Sequence, residues 1–143
     1  MKTFYRIEKS SETISAFHGE AGYGIYATPN QNVLEYYKSK TNEPFRVLKF
    51  KPLPRAVILN LDKLKKELIN FIKSEVEIIA SKDPFYQKPK ITMENYHRFP
   101  WAITKFIQIF GCSAYIIQHK HPSLPTGKQI IITRIEHFDV SEI

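Results

Sequence analysis

The order in which the two hydrophobic periods appear along the chain does most to limit its fold. Strand-like runs, rich in β-branched and aromatic residues, fall at residues 3–7, 25–27, 45–50, 56–61, 113–117 and 129–135. Helical periodicity follows residue 28 (Val33, Leu34, Tyr36, Tyr37), runs from Asp62 to about Ala80 (Leu64, Leu68, Phe71, Ile72, Val76, Ile79), and recurs at residues 101–110. Strands and helices do not alternate one for one, as a doubly wound parallel sheet requires. The pattern is that of an α+β fold, a mostly antiparallel β-sheet core with flanking helices.

Local chemistry marks the helix ends. Thr28 is placed to N-cap the first helix, with Pro29 at its first position and Gln31 completing a capping box. Asp62 is the expected cap of the second helix. Pro100 opens the third, and Gly111 ends it. The segment 19–24 (Gly-Glu-Ala-Gly-Tyr-Gly) reads as a flexible loop, and residues 118–127 as a second loop carrying prolines and histidines.

At 143 residues and 43% hydrophobic, the chain suits a single domain, 1–143, with its own core. The lone cysteine, Cys112, excludes an internal disulfide, and its apolar neighbours make it a buried small hydrophobe. The first residues lack the apolar core of a signal peptide, and no apolar run approaches membrane-spanning length. A soluble protein acting in the cytoplasm, with no membrane partner, is therefore expected. A net charge of +7 favours an anionic partner: nucleic acid, a phosphorylated cofactor or an acidic protein face.

Common catalytic motifs are missing. There is no phosphate-binding Walker loop and no serine in a nucleophile elbow. Gly19 to Gly24 is not a dinucleotide fingerprint, because a strand and not a helix follows it. His119 and His121 have no evident third ligand, so no metal is expected. No cluster of paired carboxylates with histidine points to a nuclease.

What remains is a pattern spread over the chain: Phe4-Tyr5-Arg6 in the first strand, Gly22-Tyr23-Gly24-Ile25-Tyr26-Ala27-Thr28 leading into a helix with Leu34-Glu35-Tyr36-Tyr37, then Phe110 to Ile117, and finally Gly127-Lys128-Gln129-Ile130-Ile131-Ile132. In order and spacing this resembles the ADP-ribosyltransferase superfamily, from about residue 3 to the end. The resemblance implies the split sheet of that fold, NAD as substrate, no metal, and a mono-ADP-ribosyltransferase of the small bacterial or phage type, acting on a protein or nucleic-acid acceptor. Arg6 would hold the ribose or pyrophosphate of NAD, as a guanidinium can fork onto phosphate oxygens. Tyr26 would stack on the nicotinamide, a cationic ring that suits an aromatic face. Tyr5, Gly22, Gly24, Thr28 and Tyr37 would complete the cofactor site, the glycines by letting the backbone approach closely.

One position departs from the family pattern. Most active members carry glutamate where this chain has Gln129, and an amide accepts a ribose hydroxyl but brings no negative charge to the oxocarbenium-like transition state. Glu20, Glu35 or Glu136 could supply the carboxylate, Glu20 first because it lies in the loop beside Tyr26. The basic segment around His119, Lys120, His121 and Lys128 stands where the family reads its acceptor. The alternative is a catalytically weak or inactive module of the same fold, binding nucleic acid or a partner protein through its basic surface.

Overall fold

Three consecutive isoleucines, Ile130, Ile131 and Ile132, lie at the centre of the molecule and show why it is layered. The computed structural model describes residues 3–11, 13–19, 21–119 and 127–143 of the chain. Successive residues of a strand point to opposite faces. Ile131 therefore joins a core with the helices, and Ile130 and Ile132 join a second core with another sheet. All three are at most 1% exposed. A strand buried on both faces reads as a continuous apolar run, as this one does.

The strands are β1 (Phe4–Lys9), β2 (Phe17–Gly19), β3 (Gly22–Ala27), β4 (Phe45–Pro52), β5 (Ile58–Asn60), β6 (Ala114–His119), β7 (Gly127–Ile132) and β8 (Phe138–Glu142), and the helices α1 (Gln31–Lys40), α2 (Lys65–Lys82) and α3 (Pro100–Phe110). They form a three-stranded sheet in the order β1-β4-β8 and a five-stranded sheet in the order β2-β3-β7-β6-β5. Every pairing is antiparallel except that of β5 with β6. The fold is α+β with mostly antiparallel sheets. Leu68, Ile72 and Val76 of α2 and Ile103, Phe106 and Ile107 of α3 cover one face of the larger sheet, against Tyr115, Ile117 and Ile131. The smaller sheet covers the other face through Phe4, Leu48, Phe50 and Phe138.

The structure corrects several expected boundaries. Thr28 does not cap α1. Its backbone is still held extended by the bridge to Tyr5, so Pro29 stays outside the helix and Asn30 becomes the cap, its Oδ1 accepting from the N–H groups of Asn32 and Val33. Asp62 likewise does not cap α2. Asn60 caps a 3₁₀ turn at Leu61–Leu64 that precedes it, and the Asp62 carboxylate accepts instead from the Gln118 N–H at 3.2 Å. The strand expected over residues 129–135 begins at Gly127 and ends at Ile132, where the Thr133 hydroxyl turns to the Cys112 carbonyl. Gln129, expected as the first residue of this strand, is its third, and a further strand, β8, follows. Gly22 to Gly24, expected as loop, belong to β3, hydrogen-bonded to β2 in a short hairpin. The third helix does begin at Pro100 and stop at Gly111, whose left-handed backbone has φ 66°.

Candidate functional site

The two sheets pack face to face, and among the described residues their backbones are also joined at one bridge, Tyr5 with Thr28. Tyr5 N–H donates to the Thr28 carbonyl at 2.8 Å and Thr28 N–H to the Tyr5 carbonyl at 2.9 Å, so β1 is pinned to the end of β3. The Thr28 hydroxyl adds a third tie, donating to the Lys128 carbonyl at 3.0 Å and so fastening β3 to the start of β7. A cleft of about 280 Å³ opens at this junction. Its walls are Tyr5, Arg6 and Ile7 of β1, Tyr26 to Thr28, Lys128 and Gln129 of β7, Phe17 of β2, and Val33, Leu34 and Tyr37 of α1.

The cleft thus brings together Arg6, Tyr26 and Gln129, from three distant parts of the sequence, with Tyr5, Thr28 and Tyr37. Gly22 and Gly24 do not line it. Both are buried, and both are glycine for packing reasons visible elsewhere. A side chain at Gly22 would run into the Tyr115 hydroxyl, and its φ of 114° disfavours any β-carbon. One at Gly24 would strike Ile131 and the Ile132 backbone. Glu20 lies outside the described residues, as do Lys120 and His121. Glu35 faces solvent and pairs with Lys38 at 3.2 Å, and Glu136 is exposed on the turn before β8; neither lines the cleft.

Arg6 is held at two points. Its Nε donates to Glu8 at 3.1 Å and its Nη1 to the Tyr26 carbonyl at 2.9 Å. Tyr26 is held as firmly. Its hydroxyl donates to the Gly22 carbonyl at 2.6 Å and accepts from the Ala21 N–H at 3.1 Å, and its ring stacks on Phe17 with centroids 4.7 Å apart. The Arg6 guanidinium lies over the same Phe17 ring, 5.7 Å from its centroid. Phe17 is 42% exposed and Tyr37 40%, so these two rings offer much of the aromatic surface open to solvent here, and Phe17 is one that no motif in the sequence singled out. The alternation Phe17-His18-Gly19 before a glycine-rich turn was the signal for it, weak because the strand is only three residues long.

The charged residues lining the cleft are Arg6 and Lys128; among the described residues no carboxylate lines it. Together with four aromatic rings, this composition suits a ligand that carries both negative charge and a flat ring. Other reactive groups are committed elsewhere. Ser113 lies 2.7 Å from the His137 ring, but it is 1% exposed and its hydroxyl also accepts from the Val57 N–H, which makes it a structural tie and not a nucleophile. Burial raises the Cys112 thiol above its usual range, keeping it protonated and inert. The Tyr115 phenol is raised likewise by burial and donates to the Ala21 carbonyl at 2.6 Å. Among the described residues no cluster of histidine, cysteine and carboxylate groups could hold a metal, and no helix is long and apolar enough to cross a membrane.

No protein-family model, no curated protein and no solved structure matches the chain.

Proposed function

We propose that the chain has the split-sheet fold of the ADP-ribosyltransferases, that its cleft takes NAD, and that it passes ADP-ribose to a protein or nucleic-acid acceptor. The observation that carries this reading is the convergence of Arg6, Tyr26 and Gln129 on one cleft at the junction of the two sheets. In this reading Arg6 and Lys128 bind the pyrophosphate, and the Phe17–Tyr26 pair offers its aromatic surface to the nicotinamide. The Gln129 amide oxygen accepts a hydroxyl of the nicotinamide ribose. The bond between ribose and nicotinamide breaks with its electron pair leaving on the nicotinamide, which departs neutral. The acceptor's nucleophile then bonds to the same ribose carbon and gives up its proton. Such a dissociative path gains from any group that fixes the sugar and shields the cation.

The test is nicotinamide release from NAD by the purified protein, followed by chromatography. Turnover that is lost in Gln129→Ala and Tyr26→Ala supports the reading; no turnover and no NAD binding would remove it. One observation favours a second reading, a module of the same fold that binds without catalysing: the described lining holds an amide and two cations but no carboxylate. That module would bind a nucleic acid or a partner protein through its basic surface while releasing no nicotinamide from NAD.

A further inference from the structure

Glu8 belongs to none of the roles above, yet it is the most deeply buried charged group beside the cleft, its side chain 1% exposed. Strand geometry explains its partners. Arg6 and Glu8 are two apart on β1 and share a face, and Arg46 stands directly opposite Glu8 on β4. Each carboxylate oxygen takes one guanidinium: Oε1 accepts from Arg6 Nε at 3.1 Å, and Oε2 from Arg46 Nη2 at 3.1 Å. Arg46 alone would neutralise the buried carboxylate. The second guanidinium, Arg6, lines the cleft beside Lys128, so this wall of the cleft is positive and suits an anion. The Arg6 Nη2 group makes no hydrogen bond to a described residue, while Nε and Nη1 of the same planar group are both fixed.

We infer that Glu8, held from the other side by Arg46, is a positioning residue that aims Arg6 at a pyrophosphate-bearing ligand in the cleft. The inference deepens the NAD reading and borrows from it only the ligand's identity. Arg6 could rotate about its long side chain if held only by the Tyr26 carbonyl; the Glu8 bond at Nε removes that freedom before the ligand arrives.

Net charge and positioning make opposite forecasts, which gives the test. Inorganic pyrophosphate is titrated into the protein by calorimetry. In Glu8→Gln the cluster becomes more positive, so simple attraction would tighten binding, whereas loss of positioning weakens it about tenfold or more. The double variant Glu8→Gln, Arg46→Gln keeps the cluster's original net charge. Weakened binding in it, with an unchanged melting temperature, is the expected result; wild-type or tighter binding in either folded variant would overturn the inference. Should both variants unfold, the wild-type protein decides. The side-chain Nε–H signal of Arg6 in nuclear magnetic resonance is expected to stay hydrogen-bonded when pyrophosphate is added, and its release, or no binding of pyrophosphate at all, would count against it. Pyrophosphate bound through this trio by a protein that ignores NAD would sink the NAD reading alone. NAD bound equally well by wild type and folded variants would sink this inference alone.

Discussion

If the cleft takes NAD as proposed, Gln129 is the residue on which the chemistry turns. A carboxylate at this position would stabilise the developing positive charge on the ribose; the amide supplies a hydrogen bond alone. Restoring the charge in Gln129→Glu is therefore expected to raise nicotinamide release, by about 10²–10³ if the lost electrostatic contribution has the size usual for such groups. An unchanged rate in a variant that still binds NAD would mean that this side chain does not face the breaking bond. Cys112 makes the opposite kind of statement, about what takes no part. It is 3% exposed, and burial raises its thiol in spite of backbone hydrogen bonds and Arg134, which act the other way. A thiol reagent at neutral pH should leave the native protein unlabelled and modify it fully once unfolded; rapid labelling of the folded protein would show that the core opens there.

At the scale of elements, two glycines with left-handed backbones separate conformational strain from steric exclusion. Gly111 ends α3 with open space around it, so Gly111→Ala meets only the backbone penalty, about 1 kcal/mol. Gly22→Ala meets that penalty and also the Tyr115 hydroxyl, and a loss of about 2–4 kcal/mol is expected. Urea unfolding of the two variants checks the order; equal losses would contradict the packing at the β2–β3 turn. The same elements show what was legible in the sequence. Pro100 and Gly111 delimit α3 because their constraints are local. The isoleucines of β7 announce a central strand because burial on both faces needs no partner to be recognised. Thr28 misleads because its neighbour in space is Tyr5, and only that long-range bridge decides that the helix starts later. Strand β8 was missed because Phe138–Glu142 is an edge strand with a mostly polar, exposed outer face, and β2 because three residues carry too little periodicity. Of the candidate site, Arg6, Tyr26 and Gln129 could be named from motif order, but Phe17 and Glu8 owe their places to strand pairing.

The whole molecule is a stack of helices, a five-stranded sheet and a three-stranded sheet, with the cleft where the two sheets join. Two tyrosine hydroxyls, Tyr26 and Tyr115, hold the turn at Ala21 and Gly22 between the helix layer and the cleft. This gives stability a pH dependence. Burial raises the folded Tyr115 phenol above the unfolded value near 10. The unfolded chain therefore releases that proton first, so the contribution is complete below about pH 10 and is lost as the pH climbs beyond it. Urea unfolding between about pH 8 and 11 should show this decline. Tyr115→Phe should be less stable at neutral pH and should decline less steeply; an identical slope would mean that the hydroxyl is not buried against Ala21. The cleft itself is tested most directly by titrating NAD into the isotope-labelled protein and following backbone amide signals. Shifts confined to Tyr5–Ile7, Phe17, Tyr26–Thr28, Lys128–Gln129 and the α1 residues Val33, Leu34 and Tyr37 are the expected result. Shifts gathered on the outer faces of α2 and α3, or none at millimolar NAD, would contradict the placement of a dinucleotide between the sheets.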